Sequence, residues 1–300
     1  MTPARIRVNA GMILPKLLGA ALGAALLLAP AARADVLDPV DGVHVAAQDG
    51  VRLWNHVDAG LDYSLVDDAG DVLASTDQQN EPFDVSLGND TEGRLLAVYS
   101  RCDVVCRLYA YDIDAQTERP LGITGQSPSL SDGVLAFARG RNVYQSRLGV
   151  TPRLIAHVND PGTRVGAVAA SARGVAFISR NETVATAMYL KPAGGGKLRR
   201  LALTRFGDVN RENASPVWHG GRLYWALGES FESRGWVIRY SVSSGRASAA
   251  PVDGAPDAVA FDGATMITSS TLDDDGTSGQ VATLDAPQWG TPPRAAGIGR

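Results

Sequence analysis

Few side chains in this sequence have the residue types and the spacing that catalysis or metal binding requires. The four histidines, His44, His56, His157 and His219, are far apart in the chain, and no two have the helical spacing of a metal site. The acidic run at 273–275 resembles a calcium-binding loop, but it lacks the alternating ligands and the distal glutamate of an EF-hand. The sequence also has no GxSxG nucleophile motif. We therefore predict no catalytic residue, no metal site and no cofactor.

The two cysteines, Cys102 and Cys106, are separated by three residues. A CxxC redox motif has two intervening residues, and a zinc site needs two further ligands, which the neighbouring sequence does not supply. In an exported protein this spacing favours a disulfide that closes the hairpin between two strands. A redox or metal-binding role is the alternative.

The N-terminal segment has the three-part layout of a secretory signal peptide. Basic residues precede an apolar run at 17–28, and Ala32-Arg33-Ala34 supplies the small residues of a cleavage site before Asp35. An uncleaved membrane anchor is the alternative, but the apolar run is about a dozen residues, whereas a spanning helix needs roughly 20. Removal of residues 1–34 would leave an exported protein (periplasmic, cell-envelope or extracellular) with no transmembrane segment.

The charge balance disfavours nucleic acid as a partner. Cleavage removes Arg5, Arg7, Lys16 and Arg33 and no acidic residue, so the formal net charge changes from −4 to −8. Affinity for nucleic acid depends on neutralising phosphates with lysine and arginine, which an acidic surface does not provide.

The elements that must position any site are short strands that recur along the chain. Within 125–156, turns at 131–133, 139–141 and 149–152 separate four strands, and the second of these is continuously apolar. An equivalent turn glycine precedes an apolar strand at Gly50, Gly93, Gly133, Gly174, Gly221 and Gly263, with intervals of 43, 40, 41, 47 and 42 residues. Four strands repeated at this period are typical of a β-propeller blade. The sequence therefore predicts an all-β fold, a six-bladed β-propeller of four-stranded antiparallel blades.

Residues 35–300 are predicted to form this propeller as a single domain. Its blades are predicted at about 41–75, 82–122, 126–157, 163–203, 213–252 and 256–292. The tail near Gln288 and Trp289 is expected to form the outer strand of the last blade. Ring closure would then be a contact between the first and last blades, with a strand exchanged between the termini as the alternative.

Two blades carry a more specific pattern. The segments SPSLSDGVLAFAR (127–139) and SPVWHGGRLYWAL (215–227) resemble the SPxWSPDGxxIAF core of the WD40-like repeat of TolB-type propellers. RLYAYDIDAQTERPL (107–121) and KLRRLALT (197–204) resemble the outer half of that repeat. The resemblance implies a six-bladed ring and a periplasmic or exported location. We expect no room for the α/β domain that precedes the TolB propeller, so TolB's role in envelope assemblies is not implied.

Binding residues of propellers concentrate on loops that a rigid scaffold holds at one rim of the ring. The connections between second and third strands share one rim with the links between blades. Blade five has the longest interval between turn glycines, 47 residues, and its insertion at 228–236 is GESFESRGW. The predicted binding residues on this rim are Arg101, Asp103, Arg139, Arg141, Arg180, Glu229, Phe231, Glu232, Arg234 and Trp236. The alternative is that these side chains only solvate loop tips.

Two functions agree with this sequence. The first is an exported, monomeric, non-catalytic scaffold that binds an envelope or extracellular protein, peptide or glycan through its loop rim. The second is a propeller enzyme, a glycan hydrolase or lyase, that uses rim carboxylates such as Glu229, Glu232 or Asp273. The enzyme requires two carboxyl groups that converge at roughly 5–10 Å. Because no catalytic motif is present, the binding scaffold is the preferred hypothesis.

Overall fold

A computed structural model describes residues 34–38, 44–57, 63–74, 82–181, 185–205, 210–230, 234–271, 279–284 and 287–298. These residues form six four-stranded antiparallel sheets, so the predicted six-bladed β-propeller is confirmed. The predicted signal peptide, apart from Ala34, lies outside these ranges. Within them, no helix is both long and apolar enough to cross a membrane.

The strands follow one another as simple meanders. The first thirteen are β1 (Ala34–Asp38), β2 (Val45–Gln48), β3 (Val51–Val57), β4 (Tyr63–Asp67), β5 (Val72–Ala74), β6 (Val85–Asn89), β7 (Leu95–Arg101), β8 (Arg107–Asp112), β9 (Thr117–Thr124), β10 (Gln126–Ser131), β11 (Val134–Arg139), β12 (Asn142–Arg147) and β13 (Arg153–His157). The others are β14 (Thr163–Ser171), β15 (Gly174–Asn181), β16 (Ala185–Pro192), β17 (Arg199–Arg205), β18 (Asn210–His219), β19 (Arg222–Ser230), β20 (Arg234–Ser241), β21 (Arg246–Asp253), β22 (Ala255–Asp262), β23 (Thr265–Thr271) and β24 (Gly279–Leu284). Blades one to five are β2–β5, β6–β9, β10–β13, β14–β17 and β18–β21, and blade six is β22–β24 with β1. Two 3-10 helices lie at Ala193–Gly195 and Arg294–Ala296.

The turn between β10 and β11 shows what the repeated glycine does. Asp132 and Gly133 have positive φ values of 49° and 73°, as a two-residue type I′ hairpin turn requires. A Cβ atom at Gly133 would lie 2.3 Å from the Thr91 side chain of blade two. Glycine at this position therefore permits both the hairpin and the close approach of the neighbouring blade.

The core is divided among six apolar clusters, each lying between two neighbouring blades. Strand β11 contributes to two of them, because successive side chains of a strand point to opposite faces. Leu135 and Phe137 pack against blade two, whereas Ala136 and Ala138 pack against blade four. All four are completely buried, which explains the unbroken apolar run of this strand.

An N-terminal strand closes the ring. Strand β1 pairs antiparallel with β24, with Asp35 opposite Thr283 and Val36 opposite Ala282. The ring therefore closes by strand exchange, the alternative that the sequence left open. The prediction that the tail near Gln288 and Trp289 forms this outer strand is wrong, because β1 occupies the open edge of β24.

Residues 287–298, which we call the C-terminal strap, cross the outer strands of blades five and four instead. Gly290 exchanges two backbone hydrogen bonds with Ala249 of β21, at 2.8 and 3.0 Å. Ala296 is completely buried in the cluster between blades four and five, and Ile298 forms a bridge with Ala202 of β17. The strap thus covers apolar surface that the blades alone leave open.

Candidate functional site

The six inner strands, β2, β6, β10, β14, β18 and β22, surround a central channel of about 440 Å³. We call the side of the ring that carries the blade links and the connections between second and third strands the link rim. The opposite side, with the other hairpin turns, is the hairpin rim. Alanine, serine and valine side chains line much of the channel, and its polar groups include His44, Asp84, Ser127 and His219.

Three polar side chains from three blades meet at the link-rim mouth of this channel. Asp84 accepts a hydrogen bond from the backbone N–H of Ser127 at 3.0 Å, and the Ser127 hydroxyl oxygen lies 3.0 Å from the same carboxylate oxygen. Its other carboxylate oxygen lies 3.2 Å from Nε2 of His44. The Ser127 hydroxyl is also 2.5 Å from the Gly166 carbonyl oxygen of blade four. These contacts connect the first four blades around the channel.

This trio has the residue types of a catalytic triad but not its connectivity. A serine nucleophile needs a histidine base within hydrogen-bond reach, with the carboxylate behind the histidine. Here Asp84 lies between Ser127 and His44, and Ser127 is only 4% exposed. The arrangement therefore stabilises the ring and does not activate a nucleophile.

The Ser-Pro dipeptides of blades three and five make equivalent contacts between blades. Ser127 and Ser215 have positive φ values of 49° and 41° and lie at register shifts of their strands. The Ser215 hydroxyl donates to the Asp257 carbonyl oxygen of the next blade at 2.9 Å, as Ser127 does to Gly166. The dipeptide that carries the TolB-like pattern is thus an inter-blade clamp. The recurrence of Ser-Pro in the sequence was a signal for this contact between blades, but the sequence analysis did not predict the contact.

An aromatic cluster lies at the hairpin-rim mouth, between blades five and six. The His219 ring stacks on Phe261 with centroids 4.4 Å apart, and Tyr224 lies 4.5 Å from the same phenyl ring. Burial lowers the pKa of His219 and so favours its neutral form. His219 therefore acts here as a packed aromatic ring.

Two of the predicted rim arginines, Arg101 and Arg139, lie over aromatic rings of their own blades. The Arg101 guanidinium is 4.8 Å from the ring centroid of Tyr109 and pairs with the Glu118 carboxylate. The Arg139 guanidinium is 5.0 Å from the ring centroid of Tyr144 and donates to a backbone carbonyl of blade two at 2.6 Å. Arg101 therefore joins strands within blade two, whereas Arg139 links blade three to blade two. Arg139 is also exposed at the link rim.

The other predicted residues of blades two to four lie at the same rim. Asp103 and Arg141 are exposed in the connections between second and third strands. Arg180, near the end of β15, is the cross-strand neighbour of Arg164 in β14. The structure thus brings the predicted residues of these three blades to one side of the ring.

The predicted residues of blade five are distributed differently. Trp236 is half-buried and packs against the apolar cluster between blades four and five. Glu229 is the second-last residue of β19, and Arg234 is the first residue of β20. Outside the described residues are Phe231, Glu232 and the acidic run at 273–275. The catalytic carboxylates of the enzyme hypothesis therefore stay a prediction.

Cys102 and Cys106 form the predicted disulfide, with Cα atoms 4.0 Å apart. The bond closes the connection between β7 and β8 at the link rim, as the sequence predicted. Within this loop Val104 is 91% exposed and Val105 is 51% exposed. A covalently closed loop thus presents apolar side chains to solvent.

Arginines concentrate on the link rim of blades two to four, a surface that we call the arginine rim. Arg101 lies directly opposite Arg107 in the β7–β8 pair, and Arg164 lies opposite Arg180 in the β14–β15 pair. The members of the arginine rim are Arg101, Arg107, Arg139, Arg141, Arg164 and Arg180. Among the described parts of the chain, no three His, Cys, Asp or Glu side chains are grouped as a metal site requires.

Neither a protein-family model nor a curated protein matches this sequence. Among solved structures, TolB from Acinetobacter baumannii is 15% identical with a TM-score of 0.47, over 85% of this chain and 66% of that chain. A chain of the mitotic checkpoint complex is 12% identical with a TM-score of 0.51, over 95% of this chain and 99% of that chain. An oligogalacturonate lyase in complex with manganese is 11% identical with a TM-score of 0.42, over 82% of this chain and 75% of that chain.

At these identities the similarity concerns the fold alone. This chain is a six-bladed β-propeller. Its fold is similar to that of TolB, whose repeats its own repeats resemble, and this chain covers 66% of the Acinetobacter TolB chain.

Proposed function

We propose that this protein is an exported, non-catalytic propeller that binds an acidic surface of an envelope or extracellular protein through its arginine rim. The observation that carries the proposal is that Arg107, Arg141 and Arg164 are exposed at the link rim of blades two, three and four. An anionic surface would be attracted to this group of positive charges.

Arginine suits this role because its planar guanidinium can bind a carboxylate through two parallel hydrogen bonds. The whole chain has a formal net charge of −4, so a basic rim marks one side of an otherwise acidic molecule. Opposite charges on two surfaces steer their encounter and fix its orientation.

The disulfide loop supports the same surface. Val104 projects at the arginine rim with 91% of its surface exposed, and the bond between Cys102 and Cys106 limits the conformational freedom of its loop. Ordering this loop on binding therefore costs less than ordering an open one. An apolar contact surrounded by charges is the usual composition of a protein interface.

The experiment is a pull-down from the envelope and extracellular fractions of the source organism with purified protein. The double variant Arg107→Glu, Arg141→Glu reverses two exposed charges of the arginine rim that make no aromatic contact. The control Arg147→Glu, Arg222→Glu makes the same change of net charge at exposed positions of the hairpin rim.

Wild type and the control should capture one partner that the arginine-rim variant loses, with on the order of tenfold weaker binding or more. Capture of the same partner by all three proteins would place the site elsewhere. Absence of any partner, together with hydrolysis or cleavage of a glycan by the purified protein, would support the enzyme hypothesis instead.

A further inference from the structure

Trp289 of the C-terminal strap shows how an aromatic side chain can fill a gap between two blades. Its ring centroid lies 5.8 Å from that of Tyr224 in β19, and the guanidinium of Arg239 in β20 is 4.2 Å from it. Phe261 of blade six packs in the same cluster. The gap between blades five and six is therefore filled by Trp289, a residue of the strap that belongs to neither blade.

Blade three carries the equivalent position. In blade five, Tyr224 lies three residues after the repeated turn glycine and is the cross-strand neighbour of Arg239. In blade three, the residue with the same offset is Ala136, whose cross-strand neighbour is Gln145. Gln145 in turn lies opposite Arg153 in the outer strand. Arg239 and Trp289 lie at the face of blade five that meets blade six. The equivalent location on blade three is the space around Gln145 and Arg153.

An open groove of about 610 Å³ is found there, between blades three and four. Arg153 and Leu154 of β13 form one wall, and Lys191 and Pro192 of β16 form the other, followed by the glycine turn at 194–195. Leu154 is 55% exposed. No side chain of the described ranges fills this groove in the way that Trp289 fills the gap between blades five and six. We call it the β13–β16 groove.

We propose that the β13–β16 groove docks an extended segment of a partner protein in which an aromatic residue lies near an acidic one. An aromatic ring would cover the exposed surface of Leu154 and Pro192. The Arg153 guanidinium would then take the place over the ring that Arg239 has over Trp289. Arg153 and Lys191 together give this groove a positive charge, which a carboxylate of the segment complements.

The groove is a second site, independent of the proposed function. It opens on the hairpin-rim side of the ring, since it is lined by the β14–β15 and β16–β17 turns and the start of β13. The arginine rim lies on the opposite side. A failure of binding at one surface therefore says nothing about the other.

The test uses a peptide of defined chemistry and the whole folded protein. The probe is an acetylated, amidated hexapeptide with the sequence of residues 285–290, DAPQWG, because this sequence already places a tryptophan in the gap between blades five and six. The same peptide with alanine in place of tryptophan is the ligand control. Binding is followed by amide chemical-shift changes in the labelled protein during titration to millimolar peptide.

Shift changes should centre on the backbone amides of 153–155 and 191–195 and should disappear with the alanine peptide. Leu154→Glu should weaken binding on the order of tenfold or more. Val72→Glu, a change of similar exposure on blade one (53% against 55%), should leave binding unchanged. Shift changes confined to the gap between blades five and six, or no shift change at millimolar peptide, would overturn the proposal.

Discussion

Asp90 accepts four hydrogen bonds in the turn that joins β6 to β7. Nε and a terminal guanidinium nitrogen of Arg94 donate to one carboxylate oxygen at 2.9 and 2.7 Å. The backbone N–H groups of Glu92 and Arg94 donate to the other oxygen at 2.8 and 3.0 Å. Burial alone would raise the pKa of Asp90, but these hydrogen bonds and the charge of Arg94 outweigh it and hold the pKa below its usual value.

Replacement Asp90→Asn should lower the free energy of unfolding by about 1–2 kcal/mol at neutral pH, because charge-assisted hydrogen bonds are lost. Since the folded-state pKa is lowered, this stabilisation is present above the usual value of 3.8 and is lost as the pH falls through the folded-state pKa. Urea denaturation of wild type and variant at about pH 7 and about pH 3 measures the difference. Glu92→Gln, at a mostly exposed side chain, is the control and should change little. A difference between wild type and Asp90→Asn that does not depend on pH would contradict this explanation.

At the residue scale, the sequence predicted where a side chain lies on the ring better than it predicted which other side chains it contacts. Arg101 and Arg139 each end an apolar strand, so their place at a rim follows from strand length alone. Their contacts with Tyr109 and Tyr144 depend on which face of a neighbouring strand each ring occupies. That face is set by register, and register between strands is not visible in the spacing of one strand.

At the scale of elements, the closing strand β1 has the largest consequence. It covers an edge of β24 that would otherwise expose a row of unpaired N–H and C=O groups. The strand lies at the point where the predicted signal peptide ends, between Ala34 and Asp35. Cleavage at that point would leave most of β1 attached to the mature chain.

A chain that begins at residue 39 should therefore be less stable than one that begins at residue 35. Loss of β1 removes its backbone hydrogen bonds with β24 and leaves a free sheet edge, so we expect a lower melting temperature and concentration-dependent aggregation. Thermal unfolding followed by circular dichroism, with light scattering on the same samples, measures both. Equal melting temperatures and equal scattering of the two chains would show that β1 does not close the ring.

Element boundaries within a blade could be predicted because they depend on neighbours in sequence. The turn at Asp132 and Gly133 and the two-sided apolar strand β11 are both local patterns. Ring closure could not be predicted in the same way, because Asp35 and Thr283 are brought together only by the complete circle. The path of the C-terminal strap depends in turn on gaps between blades that exist only in the folded ring.

On the scale of the whole molecule, the propeller is a ring of six interfaces, one apolar cluster each. Hydrogen bonds of Asp84 and of the serines in the Ser-Pro dipeptides connect neighbouring blades at the channel. A surface that spans three blades, such as the arginine rim, is therefore held in a fixed geometry. Rigid presentation of this kind lowers the ordering cost of binding.

The most direct measurement is site-specific photo-crosslinking from each rim. A benzophenone amino acid at Val104 probes the arginine rim, and the same residue at Val72 probes the hairpin rim of blade one, away from the β13–β16 groove; these valines are 91% and 53% exposed. Irradiation with envelope and extracellular fractions should give a crosslinked protein from position 104 and none from position 72. Added salt should weaken that crosslink, because the contact is largely between charges. A crosslink from position 72 alone, or from neither position, would contradict binding through the arginine rim.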